Sequence, residues 1–263
     1  MDFQKYLEQL KDPYERKARL FPGLLVVAPI VIALANQFGL KHPMLASVSG
    51  VLISFGAMYG LASLVRGRGK KLEDKLVASW GGMPTTVILR HRDNFLDGVT
   101  KRRYHDLITR KLGIPMPAPD QERTDPLQAD DSYRGATRRL RELTRSDRGL
   151  LFYENIAYGF HRNMLAMKSI GIGLCLVAIL YGLIQANALK PDAPFFELGA
   201  LTTAGVNSGV TLVVSITFML VWIFHFDGEA VRRIGYVYAE RLLEHLPSLN
   251  GEPPRHTNQT RVN

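Results

Sequence analysis

The chain has 263 residues, 46% of them hydrophobic and 22% charged, with a formal net charge of +9 at pH 7 and a single cysteine. One thiol, Cys175, excludes an intramolecular disulfide framework. The basic excess fits either nucleic acid or an anionic membrane surface, and the segregation of apolar residues into long charge-free windows decides for the membrane.

In chain order, residues 1–19 mix acids with bases and form an amphipathic segment ahead of the first apolar run. That run, 20–40, is uncharged between Arg19 and Lys41. It is long enough to cross a hydrocarbon core of about 30 Å at about 1.5 Å per residue, and too long for a cleaved leader. Pro29 sits at its middle and predicts a kink. Only Lys41-His42-Pro43 separates it from the next run, 44–65, so 20–65 is expected to be a transmembrane hairpin. A second hairpin is expected over 169–226, from spans 169–189 and 206–226, with Phe195-Phe196 suited to the water interface between them. An amphipathic helix is predicted at 227–246, and 247–263 has little to bury and reads as a disordered tail. The fold class is therefore an all-α membrane protein, four transmembrane helices in two hairpins with a mostly helical insert, 66–168, between spans two and three.

Lys and Arg crowd the N-terminal segment, the start of the insert and the residues after span four, whereas the two short hairpin loops carry one lysine each, Lys41 and Lys190. The positive-inside rule then places both termini and the insert in the cytoplasm. Small residues recur at helix-contact spacing: Gly56 and Gly60, then Ala178, Gly182 and Ala186, then Gly205 and Gly209. They predict close helix packing, and a homo-oligomer is the expected assembly of the spans. Ser208, Thr211 and Ser215 share one face of span four, where interhelical hydrogen bonding competes with a water path.

Within the insert, Leu72, Leu76, Val77 and Trp80 fall on one helical face, with Glu73, Asp74 and Lys75 opposite. Gly81-Gly82 stops that helix and Met83-Pro84 enforces a turn. Thr85 to Leu89, rich in β-branched residues, is expected to be extended. A helix is predicted over 97–112, ended by Gly113 and the Pro115-Met116-Pro117-Ala118-Pro119 tract. The segment 120–131 is expected to be a surface loop. A further helix over 132–144 buries Tyr133, Ala136, Leu140 and Leu143 and displays Arg134, Arg138, Arg141 and Arg145. Another begins near Ser146 or Asp147 and continues into span three.

Two clusters are candidates for ligand or partner binding. The first is Trp80, Gly81, Gly82, Thr85, Thr86, Arg90, His91, Arg92 and Asp93, whose paired glycines beside Pro and Thr-Thr resemble a phosphate-cradling turn. It lacks the further glycines and the Lys-Ser/Thr of a nucleotide loop, and the competing reading is a docking turn with Trp80 as an interfacial anchor. The second cluster is Glu154, Asn155, His161, Arg162 and Asn163, read either as an ion-path vestibule or as helix caps and interhelical hydrogen bonds. If the two clusters face one another across one inner membrane surface, they form one docking site. Arg134, Arg138, Arg141 and Arg145 are candidates for anionic lipid headgroups, a nearer partner than nucleic acid for a membrane-attached basic face. His91, Asp93, His105 and Asp106 carry metal-ligating chemistry without metal-ligand spacing, so no metal and no cofactor is expected.

Gly69-Lys70-Lys71-Leu72, Trp80-Gly81-Gly82 with Pro84-Thr85-Thr86, Leu89-Arg90-His91-Arg92-Asp93, Glu122 with Asp125-Pro126, Tyr133, Leu140-Arg141-Glu142-Leu143-Thr144-Arg145, and Glu154-Asn155 with Tyr158-Gly159-Phe160 and Arg162-Asn163 form a recurrent set. With these motifs the stretch 69–173 resembles a group of uncharacterised bacterial four-span integral membrane proteins. The link Thr144-Arg145-Ser146-Asp147-Arg148-Gly149 is shorter than theirs. The resemblance implies a bacterial inner-membrane location and no particular activity. No nucleophile with its base can be picked out. The leading reading is a non-enzymatic oligomer whose insert binds a ligand or partner and gates or signals to the spans. The rivals are a membrane-bound enzyme acting on a nucleotide or lipid headgroup, and a scaffold for a cytoplasmic partner.

Overall fold

The computed structural model describes residues 12–38, 43–192 and 194–249, with backbone alone at 37–38 and 43–59. Among these residues the chain is helical and has no strand, only a bridge between Leu189 and Phe196. A π-helical turn, Glu15–Leu20, leads into α1, Phe21–Phe38. Then follow α2 (Pro43–Ser79), α3 (Pro84–Val87), α4 (Gly98–Leu112), α5 (Pro119–Thr124), α6 (Pro126–Leu143), α7 (Leu150–Gln185), α8 (Val206–Phe224) and α9 (Gly228–Leu243). Two 3-10 turns, Leu198–Thr203 and Leu246–Ser248, complete the description.

Among the described residues, three stretches are long and apolar enough to cross a membrane: Glu15–Asn36, Leu150–Gln185 and Val206–Phe224. The expected span 44–65 lies within α2, but its side chains up to residue 59 fall outside the described residues, as do the loop residues 39–42, the segment 1–11 and the tail from 250.

The chain divides into two compact units, 1–75 with 156–231, and 76–155 with 232–263. The ends of the expected insert, up to Lys75 and from Ile156, thus belong with the apolar helices, and most of the C-terminal helix belongs with the insert.

In the first unit α1 packs on α8. Val26, Val65, Met164, Met167, Cys175, Trp222 and Phe226 form its core. Close approach uses small residues: a Cβ at Gly171 would lie 2.3 Å from the Trp222 ring, and one at Gly182 would lie 2.9 Å from Leu212. The hydroxyl face of α8 turns inward, with Ser208, Thr211 and Ser215 all buried. Thr211 Oγ1 accepts from Asn36 Nδ2 at 3.3 Å and donates to Asn207 O at 2.9 Å. Asn207 Nδ2 returns a bond to Asn36 O at 3.2 Å, so α1 and α8 are stitched by polar groups. At the end of α8, Lys168 Nζ donates to Ile223 O and Phe226 O at 3.0 and 2.9 Å, placing a cation on a helix C-terminus.

The second unit has its own core. Ile88, Leu89, Ile108, Tyr133 and Leu140 are almost fully buried, and Leu242, Leu243 and Leu246 of the C-terminal segment join them. Asp97 caps α4 by accepting from the N–H groups of Val99 and Thr100, both at 2.9 Å, and Gly113 ends the helix in the left-handed conformation.

Three expectations for the insert are corrected. Thr85 to Leu89 is a single helical turn and reverse turns, because Pro84 starts a turn that the core then buries on every side. The segment 120–131 is mostly helix: Pro119 and Pro126 each occupy a first helical position, where a missing N–H costs nothing. Leu143 is 39% exposed, outside the core.

Candidate functional site

The helix stop after α2 is a Schellman motif. Gly82 N donates to Val77 O at 2.9 Å and Gly81 N to Ala78 O at 3.3 Å, with Gly81 at φ 73° and Gly82 at φ 152°. The paired glycines are therefore engaged by the helix end, and their N–H groups do not form a phosphate cradle.

Arg90 folds back on this turn. Its Nη2 donates to Gly81 O at 2.7 Å, while Nε and Nη2 reach the two oxygens of Asp130 at 2.8 and 2.6 Å. The neighbouring residues are held by a second carboxylate, Glu122, which is 2% exposed. It accepts from His91 N at 2.7 Å, from Tyr133 Oη at 2.7 Å and from Arg92 Nη1 at 3.0 Å. Burial alone would raise the Glu122 carboxyl, but these donors hold it below its ordinary range. Burial raises the Tyr133 hydroxyl far above its own, reinforced by its bond to Glu122.

Lys101 Nζ donates to Arg90 O at 2.8 Å and also to Asp93 O, and burial lowers its pKa. His105 Nε2 donates to Leu89 O at 2.8 Å; burial pushes this imidazole below its ordinary value. Asp93 itself accepts from Tyr236 Oη at 3.0 Å and from Phe95 N at 3.0 Å. The segment 89–93 is thus a polar clasp whose backbone and side chains are satisfied from α4, α5, α6 and α9.

His91 and His105 do meet, their rings 4.8 Å apart edge to face. Each points Nε2 at a carbonyl, His91 at Pro117 O. No group of three or more His, Cys, Asp or Glu among the described residues could hold a metal ion.

One juxtaposition joins two sets of candidates that lie far apart in sequence. An open cavity of about 520 Å³ is lined by Gly81, Gly82, Thr85, Thr86 and Arg90 from the first cluster. Its other wall is α6, with Arg134, Arg138 and Arg141. These three sit at i, i+4 and i+7, one face of a helix. His91 and Arg92 line a different cavity, of about 410 Å³, with Glu122 and Arg123. Trp80 is half-buried and lines neither, and Arg145 is exposed outside both.

The second cluster is divided. Glu154 and Asn155, half-buried, belong to the second unit, and His161, Arg162 and Asn163 to the first. Arg162 Nη1 donates to Glu73 Oε1 at 2.9 Å, with both side chains about nine-tenths buried. Glu73 also takes Lys70 Nζ at 3.1 Å. Asn163 Oδ1 accepts from Arg162, and its Nδ2 donates to Ala18 O at 2.5 Å. A Cβ at Gly69 would stand 1.8 Å from Asn163 Oδ1, so glycine is required there. His161 Nδ1 bonds Ala157 O of its own helix at 3.0 Å.

The residues that sequence reasoning missed are the acids: Glu73, assigned to the exposed face, and Glu122 and Asp130, assigned to a loop. No local spacing pairs them with their arginines.

No protein-family profile, curated protein or solved structure matches this chain.

Proposed function

We propose that this chain is a multi-pass protein of the bacterial inner membrane, associated with copies of itself, with its second unit in the cytoplasm. There it binds an anionic ligand in the groove between the Gly81–Arg90 turn and α6. The observation that carries this reading is the convergence of Arg134, Arg138 and Arg141 on a cavity whose one carboxylate, Asp130, is already occupied by Arg90. Positive charge there is left for something outside the chain. The membrane part is supported by three helices long and apolar enough to cross a bilayer and by the crowding of Lys and Arg on one set of connections. The absence of a nucleophile beside a base in the groove favours binding over catalysis. Ligand binding then acts on the spans through α2 and α7, each of which contributes to both units.

Two measurements on the full chain test it. In a Cys175→Ala background, Asp192→Cys should react with an impermeant maleimide in intact spheroplasts and Ser132→Cys only after lysis; the reverse pattern defeats the topology. Hydrogen exchange with and without millimolar sulfate, citrate or phosphate should show protection at 81–90 and 134–141. Unchanged exchange with all three defeats the groove.

A further inference from the structure

We infer that the groove is a site for a ligand carrying two or more linked phosphoryl groups, recognised through its phosphate oxygens; this rests on the anionic-ligand reading above and names the chemistry of that ligand.

The donor inventory of the cavity carries the inference. Thr85 and Thr86 add two hydroxyl groups to its lining. Arg138 has no ion pair among the described residues. Arg141 donates only Nε, to Thr137 O at 3.4 Å. Arg134 is partly used, by Asp130 O at 3.3 Å and by Asp131 at 3.0 Å on the exposed rim. Against this surplus of N–H and O–H donors the cavity offers one carboxylate, and both oxygens of Asp130 are engaged by Arg90.

What fits such a surface must bring several acceptor oxygens and more than one negative charge. A guanidinium fork matches a phosphoryl group through two parallel hydrogen bonds. From Arg134 to Arg141 the helix rises about 10 Å at 1.5 Å per residue, so the three cations form a row longer than one carboxylate or one phosphate can bridge. Linked phosphates span it. None of the described lining residues is aromatic, and Val77, Ala78 and Met83 supply the apolar wall. Without a ring on which to stack a base, recognition falls on the phosphates. A cavity of about 520 Å³ lies within the roughly 300–1,000 Å³ usual for small-ligand sites. The linked phosphates can belong to a soluble oligophosphate or to a two-phosphate lipid headgroup.

The test uses the full chain in detergent, titrated calorimetrically with tripolyphosphate, inorganic phosphate and citrate, and by co-sedimentation with phosphatidylcholine vesicles with and without cardiolipin. Tripolyphosphate should bind at least tenfold tighter than phosphate or citrate and weaken as salt rises. Arg138→Gln and Arg141→Gln should each lower its affinity at least fivefold, Arg138→Lys less, and Arg145→Gln not at all. These arginines are exposed, and unchanged thermal melting will confirm that the variants fold. Cardiolipin vesicles that bind and compete with tripolyphosphate identify a lipid source; tripolyphosphate binding without a cardiolipin effect identifies a soluble one. Citrate binding as tightly as tripolyphosphate, or tripolyphosphate binding indifferent to Arg138→Gln and Arg141→Gln, overturns the phosphate assignment while leaving the anion groove standing. Absence of binding by every anion overturns both.

Discussion

Arg90 holds both carboxylate oxygens of Asp130, at 2.8 and 2.6 Å, and with the same guanidinium the carbonyl of Gly81 at 2.7 Å. One side chain thereby ties the helix stop after α2 to α6, and it fixes the floor of the groove that the arginines of α6 overhang. The pair is largely buried at the edge of the groove, the two side chains 9% and 15% exposed, so removing either partner leaves a mostly buried charge.

Asp130→Ala should therefore destabilise the second unit by about 3 kcal/mol, the scale for orphaning one member of a buried pair. Asp130→Asn, which keeps one acceptor, should cost less. Amide-exchange free energies along α6 in the full chain will measure both. Equal exchange in wild type and Asp130→Ala would show that Arg90 finds water instead.

The two left-handed turns differ in what surrounds them. At Gly113 (φ 66°) nothing lies within 4 Å of an added Cβ, so Gly113→Ala should cost about 1 kcal/mol of backbone strain alone. At Gly82 (φ 152°) the Cβ would lie 2.9 Å from Arg90 Nη2 and 3.1 Å from Val87. Gly82→Ala should thus cost more, about 2 kcal/mol, and should also loosen the Arg90–Asp130 bond. Thermal melts of the two variants will rank them.

The pH dependence of the second unit follows from His105 and Glu122. The folded imidazole of His105 binds its proton less readily than the ordinary value of 6.5. As pH falls below that value, the unfolded chain takes up a proton that the folded chain refuses, and stability falls with it. His105→Gln should flatten this limb while keeping a donor for Leu89 O. The Glu122 carboxyl is held below its ordinary value of 4.5. Its stabilisation is present above that pH and is lost as pH falls through the folded value, so Glu122→Gln should remove the acid limb. Exchange free energies over residues 98–112, followed from pH 8 down through the folded Glu122 value, will separate the two limbs.

In the first unit, Glu73 and Arg162 form a buried pair with Asn163 beside it. Glu73→Gln should destabilise the detergent-extracted protein by about 3 kcal/mol, and Glu73→Leu with Arg162→Met should recover much of that loss. Gly69→Ala, whose Cβ has no room beside Asn163 Oδ1, should be as damaging as Glu73→Gln. Fluorescence-detected thermal unfolding of the four proteins will compare them. A double variant that melts no higher than Glu73→Gln would mean that the two charges do not act as a pair.

Much of this protein could be read from sequence because the responsible signals are local. Charge-free windows as long as 169–189 and 206–226 can be solvated only by lipid or protein interior, and they are helices here. Gly113 after α4 and Gly81-Gly82 after α2 work within a few residues of themselves, so their positions alone revealed where those two helices end. Arg134, Arg138 and Arg141 were legible as one basic face for the same reason, since helical periodicity needs no partner. The acids were not legible. Glu73 meets Arg162 across 89 positions, Asp130 meets Arg90 across 40, and Glu122 meets His91 across 31. Burial of a carboxylate becomes tolerable only when those donors arrive, and nothing in the immediate neighbourhood of Glu122 or Asp130 distinguishes a loop acid from a core one. Sequence determined the long apolar helices and the basic face, but the helical turn Pro84–Val87, the helix Pro119–Thr124 and the start of α6 escaped it. Only tertiary structure decided that Arg90 clasps this helix stop to Asp130, and that the clasp and the arginines of α6 line one groove, because both depend on long-range pairing of charge.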